Sequence, residues 1–287
     1  MDMKNLLIIV IALISTIPAV NTSFPEPSLV NHTVDLAPSE VYPGDVFIIT
    51  VHTNSTPMLR FQGRELPVFS RDKYYQAIAF VNIDTKQGIL GIIIKSGEQT
   101  TIEYTKVLDK EFPVKHITLK SEQVFLSPDD EKRADREQHI LESFWNNITP
   151  YPLWSGNFLR PLDSSITSPF GTKRIINGKK ESRHHGTDYK GSEGSPVKSI
   201  NSGEVVLSDN QFYGGNTILI NHGLGIYSVY LHLSKSMVSV GDRVSKGQVI
   251  GLVGSTGRAN GPHLHLSVKL YGESINPESL YKINFSR

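Results

Sequence analysis

The chain has 287 residues and a formal net charge of +1, so its length allows one or two domains and its charge gives no sign of nucleic-acid binding. It contains no cysteine, which excludes disulfides, thiolate zinc fingers and cysteine nucleophiles. The charge is uneven: residues 24–161 carry 14 Lys and Arg against 18 Asp and Glu, whereas residues 162–287 carry 14 against 9. This change of sign supports a division into two units.

Residues 1–22 predict an export signal. Lys4 gives a weak positive start, an apolar core runs from Leu6 to Ile14, and Pro18-Ala19 offers a small residue for cleavage. The stretch is short for a membrane span of about 20 residues. An uncleaved anchor stays open as an alternative, because the positive start is poor and the cleavage site is not sharp. We expect an exported protein of the periplasm or cell envelope, or a secreted one, with membrane contact only through this segment.

Residues 24–115 predict a small immunoglobulin-like β-domain. Turn residues separate short strand-like runs at intervals typical of an all-β sandwich. The expected strands are Val46 to Val51, Met58 to Phe61, Tyr75 to Val81, Gly88 to Ile94 and Thr100 to Val107. This region shows no catalytic constellation.

Residues 116–158 predict a linker with a helix at about 128–148. Ser127 is a good N-cap, Pro128 suits the first helical position, and acidic residues fill the first turn. An apolar stripe at helical spacing, expected to pack against a neighbouring domain, consists of Leu141, Phe144, Trp145 and Ile148.

Residues 159–287 are again rich in short strands, without a helical pattern of useful length. The expected strands are Gly203 to Leu207, Thr217 to Asn221, Tyr227 to Leu233, Gln248 to Val253 and His263 to Lys269. They predict an antiparallel sheet that is strongly bent or doubled. The fold class is therefore mainly β, with two β-domains joined by a helical linker.

Two histidine motifs in this last region suggest a metal site. In His263-Leu264-His265 the two imidazoles project from the same side of a strand, and His184 lies four residues before Asp188. Two imidazoles and one carboxylate form a ligand set that zinc uses in catalytic sites. Glycines frame both motifs, at Gly186 and Gly261, where they permit close backbone approach. The residues thus suggest a zinc hydrolase.

Residues 165–278 resemble the LytM/lysostaphin-type zinc metallopeptidases, which cleave peptide bonds in bacterial cell walls. The segments that carry the resemblance are Ser168-Pro169-Phe170-Gly171, His184-His185-Gly186-Thr187-Asp188, Gly194-Ser195-Pro196-Val197, Asn221-His222-Gly223, Tyr230-Leu231-His232-Leu233-Ser234, Gly247-Gln248-Val249-Ile250-Gly251 and Gly261-Pro262-His263-Leu264-His265. The resemblance implies a compact antiparallel β-fold with a substrate groove over one zinc ion.

The resemblance also implies individual roles. The zinc ligands would be His184, Asp188 and His265, because the family's spacing places the first ligand four residues before the aspartate. His185 would then lie in the groove or behind the ligands. His263 would act as general base towards the attacking water, and His232 would help to stabilise the oxyanion, although the two histidines can exchange parts of these roles. We expect His222 to be structural.

The predicted function is an exported zinc metalloendopeptidase that hydrolyses peptide crosslinks or stem peptides of peptidoglycan. The alternative is a non-catalytic relative that binds cell wall and activates amidases. A basic loop before the site is either solvated or attracts acidic stem peptides, and consists of Lys173, Arg174, Lys179, Lys180 and Arg183. The N-terminal domain would position the enzyme, bind a regulator or block the groove.

Overall fold

The computed structural model describes residues 32–117, 126–178 and 180–285, with only the backbone of Lys180. The predicted export signal at 1–22 lies outside these residues. Within the described ranges, no helix combines the length and the apolar character that crossing a membrane requires.

The N-terminal part consists of two β-sheets that face each other. Its strands are β1 (Thr33–Ala37), β2 (Glu40–Val41), β3 (Val46–His52), β4 (Met58–Phe61), β5 (Arg64–Leu66), β6 (Phe69–Arg71), β7 (Tyr74–Phe80), β8 (Gly88–Ser96) and β9 (Gln99–Val107). One sheet has the order β1-β3-β7-β6 and the other β2-β9-β8-β4-β5. Phe47 of the first sheet meets Phe61 of the second edge-to-face, with ring centroids 5.3 Å apart. The sheet pair agrees with the predicted all-β region, while its immunoglobulin-like character stays a prediction.

A three-stranded sheet follows, built from β10 (Val114–Ile117), β12 (Lys173–Ile176) and β13 (Lys180–Arg183). The expectation of a basic loop over 173–183 was wrong. This segment is an antiparallel hairpin, and β10 pairs with its first strand in parallel. Asn177 and Gly178 turn the chain with φ of +52° and +67°, as a tight hairpin requires.

Helix α1 (Pro128–Trp145) begins as the sequence predicts. The Ser127 side chain accepts a hydrogen bond from the backbone N–H of Asp130. Leu141, Phe144 and Trp145 of its apolar stripe pack on a small core that includes Tyr227. Ile148 lies beyond the helix and is exposed. The helix thus packs against the C-terminal sheet, as expected for most of the stripe.

The C-terminal part is a strongly branched sheet in which all pairs are antiparallel. Its further elements are β11 (Ile166–Ser168), β14 (Thr187–Lys190), β15 (Pro196–Lys198), β16 (Gly203–Gln211), β17 (Gly215–Gly223), β18 (Ile226–Ser236), β19 (Arg243–Val244), β20 (Val249–Val253), β21 (His263–Leu270), β22 (Glu273–Ile275) and helix α2 (Pro277–Leu280). The main order is β11-β14-β21-β18-β17-β16-β19, with β15, β20 and β22 attached at its side. The antiparallel sheet expected from the sequence is confirmed.

The N-terminal sheets and the C-terminal sheet are joined by polar contacts as well as by one continuous apolar core. The Tyr271 hydroxyl donates to the Ile78 carbonyl at 2.9 Å, and the Asn276 amide donates to the Asp45 carboxylate at 2.7 Å. The Asn276 backbone N–H also donates to the Gly44 carbonyl. These contacts fix the two parts against each other.

Candidate metal centre

The pairing of three strands brings the two histidine motifs together. On β14, Asp188 lies directly opposite His265 of β21, and Leu231 of β18 lies opposite His265 on the other side. Side chains alternate along a strand, so His263 and His265 face the same side of the sheet. His184 directly follows β13, and its backbone exchanges hydrogen bonds with Gly171 and Thr172.

Three potential ligand atoms converge at this point. His184 Nε2 lies 3.0 Å from Asp188 Oδ1 and 3.0 Å from His265 Nδ1, and the latter two atoms are 2.8 Å apart. Zinc bonds of 2.0–2.2 Å in a tetrahedral arrangement would separate such atoms by about 3.3 Å. The spacing is therefore close to that of a zinc site.

Hydrogen bonds on the far side of each imidazole determine which nitrogen carries its proton. His184 Nδ1 lies 3.1 Å from the Pro169 carbonyl, which can only accept. His265 Nε2 lies 2.9 Å from the Ser267 hydroxyl, which itself donates to the His185 carbonyl. Both converging nitrogens are therefore bare in the neutral rings. Two lone pairs and a carboxylate oxygen within 3 Å require a positive charge between them, and a divalent cation fits this donor set.

Asp188 stays ionised in this environment. Burial favours its neutral form, but the influence of the adjacent His184 and His265 imidazoles outweighs burial and holds the pKa of its carboxyl well below the usual range. Its second oxygen, Oδ2, lies 3.5 Å from an Arg174 guanidinium nitrogen. Arg174 thus occupies one carboxylate oxygen and leaves Oδ1 for the cation.

His232 and His263 stand beside the three ligands. Their rings are 4.8 Å apart, and His263 Nε2 lies 3.9 Å from Asp188 Oδ1. His232 Nδ1 donates to the Thr256 carbonyl and His263 Nδ1 to the Gly261 carbonyl, at 2.9 and 2.8 Å. In the neutral rings Nε2 is then a proton acceptor in both. Burial lowers the pKa of His232 to about 4, which keeps it neutral near pH 7.

The backbone of His232 is held in a conformation that is rare for a residue with a side chain. Its φ is +64°, and its N–H donates to the Gly214 carbonyl at 2.7 Å. A left-handed non-glycine residue costs free energy and occurs where the surroundings determine it strongly, often at functional sites. The turn of β18 here directs the imidazole to His263.

A groove of about 760 Å³ opens over the centre. His232, His263, His265 and Asp188 line its floor, and the hairpin β12–β13 contributes one wall together with β10. The loop at 257–262 forms another part of its lining. An extended peptide has room to reach the converging atoms.

All five predicted site residues lie together. They are His184, Asp188, His265, His263 and His232. His185 does not line the groove: its side chain faces a second cavity, and only its backbone carbonyl supports the ligand His265 through Ser267. His222 is fully buried and bonded to Ser202 and Ser228, as a structural histidine should be. Gly186 permits the expected close approach, because a Cβ there would lie 2.5 Å from His265 Nε2.

Two supporting residues were not singled out from the sequence. Arg174 was placed in a basic loop, and its contact with Asp188 depends on the unexpected hairpin. Ser267 lies two residues after His265 on β21, so the strand alternation already places it on the same side. Only the second of these was available from the sequence.

Residues 182–277 match the model of peptidase family M23. The C-terminal domain is a peptidase M23 domain. Peptidoglycan DD-endopeptidase ShyA of Vibrio cholerae is 43% identical over 119 residues, which cover 40% of this chain and 28% of ShyA. DD-carboxypeptidase/endopeptidase Mpg of Neisseria meningitidis is 37% identical over 115 residues, which cover 40% of this chain and 26% of Mpg. This chain therefore spans less than a third of these curated relatives.

The similarity extends beyond the M23 domain in one solved structure. A protein described as an M23 peptidase from Pseudomonas aeruginosa matches with a TM-score of 0.66 at 27% identity. The match covers 84% of this chain and 94% of that chain. The N-terminal sheets therefore share in the likeness.

Proposed function

We propose that this protein is an exported zinc metalloendopeptidase that hydrolyses peptide crosslinks of bacterial peptidoglycan. The observation that carries the proposal is the convergence of His184, Asp188 and His265 in a groove with two further imidazoles that present bare nitrogens. The relatives named DD-endopeptidases support crosslinks between stem peptides as the substrate. Export follows from the signal-like residues 1–22 and is part of the proposal.

Zinc fits the donor set better than harder cations. Two imidazole nitrogens and one carboxylate oxygen are typical of catalytic zinc, whereas Mg²⁺ and Ca²⁺ prefer oxygen ligands. When bound, zinc would supply a Lewis acid that polarises a peptide carbonyl and lowers the pKa of water. One carboxylate leaves a net charge of about +1 on such a centre.

His232 and His263 would move the proton. In the neutral state each offers Nε2 as an acceptor, so neither can donate to an oxyanion before it has gained a proton. The first step therefore assigns one of them as base towards the attacking water. After that step its Nε2–H can stabilise the oxyanion or protonate the leaving amine. The weakly basic character of His232 favours rapid release of a proton from it.

The decisive test is digestion of defined crosslinked muropeptides by the full chain, with mass analysis of the products. We expect cleavage with zinc, loss of cleavage with a chelator, and recovery when zinc is restored. Cleavage that resists the chelator would contradict the metal mechanism. No cleavage by zinc-loaded protein, with cell-wall binding retained, would favour the non-catalytic alternative.

Adjacent histidines provide a matched control. His184→Ala removes a ligand and should abolish both stoichiometric zinc binding and cleavage. His185→Ala alters a neighbouring imidazole that faces away from the groove, so both properties should persist. Equal loss in the two variants would show that the ligand assignment is wrong.

A further inference from the structure

The groove wall contains a strand from outside the M23 match. The family model begins at residue 182, yet β10 at Val114–Ile117 forms one edge of the sheet beside the metal centre. The backbone holds it there at both ends: Lys173 N–H donates to the Pro113 carbonyl at 2.8 Å, and Asn177 N–H donates to the Ile117 carbonyl at 2.9 Å. The strand is therefore built into the site.

The register of this sheet places two cations side by side on the groove face. Lys115 of β10 lies directly opposite Arg174 of β12. Both side chains line the groove, and Ile117 and Ile176 form the next row on the same face. The wall thus presents a cationic row followed by an apolar row.

Like charges directly opposite on a sheet destabilise it. Arg174 has a partial counter-charge in Asp188 Oδ2 at 3.5 Å, but Lys115 is exposed and has no ion pair among the described residues. A carboxylate in the groove would relieve this repulsion. The sheet is compatible with a ligand that brings its own negative charge.

The charges elsewhere in the groove agree with an anionic ligand. Lys190 and Arg258 add two cations to its lining. The acids there are Asp188, which faces the histidines and Arg174, and Asp130, which accepts a hydrogen bond from Ser127 at 2.8 Å. Positive charge therefore exceeds negative charge along the lining.

We propose that Lys115 and Arg174 bind a free carboxylate of the peptide substrate, with Ile117 and Ile176 against its aliphatic neighbour. The preferred substrate is then a peptide that carries a carboxylate close to the scissile bond. This inference rests on the proposed peptidase function and adds the substrate feature that the wall selects. Lys115 is a substrate-binding residue and takes no part in the bond-breaking step.

The test uses two crosslinked peptides that differ only in one group, a free α-carboxylate or its carboxamide. For the zinc-loaded full chain we expect the carboxylate peptide to have the lower KM. Lys115→Ala should raise that KM by about fivefold, the effect of an exposed charge pair, and leave kcat and the carboxamide peptide unchanged. Lys115→Glu should raise the KM for the carboxylate peptide further, and Lys115→Arg should return this KM to the value of the unmodified chain.

Lys173→Ala is the matched control. Lys173 is an exposed neighbour of Arg174 with the same charge, but it points to the opposite face of β12 and does not line the groove. We expect its kinetics to equal those of the unmodified chain. The proposal would be overturned if Lys173→Ala raised the KM for the carboxylate peptide as much as Lys115→Ala does. It would also be overturned if Lys115→Ala raised the KM for both peptides equally.

Binding separates this inference from the proposed function. The affinity of a non-hydrolysable carboxylate peptide, measured by fluorescence anisotropy, should fall in Lys115→Ala even if no peptide is cleaved. Absence of cleavage by the zinc-loaded chain would count against the peptidase alone. Equal affinity of carboxylate and carboxamide peptides would count against the role of Lys115.

Discussion

The two histidines of His263-Leu264-His265 share one face of β21, but their hydrogen bonds give them different tasks. His265 turns Nδ1 to His184 and Asp188 and fixes its other nitrogen on Ser267. His263 fixes Nδ1 on the Gly261 carbonyl and keeps Nε2 at 3.9 Å from Asp188. The first arrangement suits a metal ligand and the second suits a proton acceptor.

Single substitutions should separate these tasks. His263→Ala is expected to retain stoichiometric zinc and to lower kcat by about 10²- to 10⁴-fold, the usual contribution of a general acid or base. His265→Ala should lose zinc and activity together. Metal analysis of the purified variants alongside muropeptide digestion checks both. Loss of zinc from His263→Ala would mean that His263 is itself a ligand.

His222 should make stability depend on pH. Burial lowers its pKa from 6.5 to about 4, so the folded protein keeps it neutral while the unfolded chain protonates it near 6.5. Between these values the unfolded state binds more protons, and stability falls as pH falls. The stabilisation is complete above pH 6.5 and is reduced by about 3 kcal/mol at pH 4.

His222→Gln isolates this contribution. The free energy of unfolding of the unmodified protein and of this variant should be measured by denaturant titration from pH 7.5 to 4. The difference between them should shrink as pH falls through the window. A difference that does not change with pH would show that His222 has an ordinary pKa in the folded protein.

At the scale of elements, two loops that flank the groove pack backbone against backbone. A Cβ at Gly257 would lie 2.2 Å from the Gly215 backbone nitrogen, and the neighbouring Thr256 carbonyl accepts a hydrogen bond from His232 Nδ1. The loop contact therefore controls the position of a proposed catalytic imidazole. Thr256 adds to it by accepting a hydrogen bond from Asn216 N–H at 2.9 Å.

Gly257→Ala should consequently affect both stability and catalysis. Its φ is +69°, so alanine brings conformational strain of about 1 kcal/mol in addition to the clash. Gly97→Ala is the control, because Gly97 has φ of +58° and no atom within 4 Å of a built Cβ. We expect the control to lose only the stability that the conformational strain costs and to keep full kcat. Equal kcat in both variants would argue against the loop contact as a positioning device.

The elements that the sequence predicted are those with a local signal. The strands β3, β4, β7, β8 and β9 coincide with the predicted strand-like runs, and α1 begins at the predicted Ser127 cap. The hairpin β12–β13 was read as a loop because its charged residues mask the strand pattern. Asn177-Gly178 was the available signal for it.

The pairing of β10 with β12 had no comparable signal. The two strands are parallel and more than 50 residues apart, and parallel pairing depends on contacts between distant segments rather than on a turn. For this reason His184 and the four residues at the floor of the groove were predictable, whereas Lys115 in its wall was not. A motif specifies the residues within it but not the strands that the fold adds beside it.

At the scale of the molecule, residues 32–117 form part of the scaffold of the groove. No hydrogen bond or ion pair joins a side chain of residues 32–117 to the three candidate ligands, but β10 supplies Lys115 and Ile117 to the wall. Tyr271 and Asn276 of the C-terminal part bond to the N-terminal sheets, and apolar side chains of both parts share one core. Removing the first part would expose this core and leave β12 paired with β13 alone.

A chain that begins near Leu159 should therefore be less stable and less active than the full chain. The contrary hypothesis, that the N-terminal part blocks the groove, demands a higher rate after truncation. Thermal unfolding and muropeptide cleavage by both proteins, at equal zinc content, distinguish the two. Tyr271→Phe supplies a milder probe, because it removes only the hydrogen bond to Ile78 and should cost about 1 kcal/mol with the wall intact. Faster cleavage by the truncated chain would show that the N-terminal part restrains the enzyme. Slower cleavage, with a normal rate for Tyr271→Phe, would show that the removed elements, β10 of the wall and helix α1 among them, support the groove.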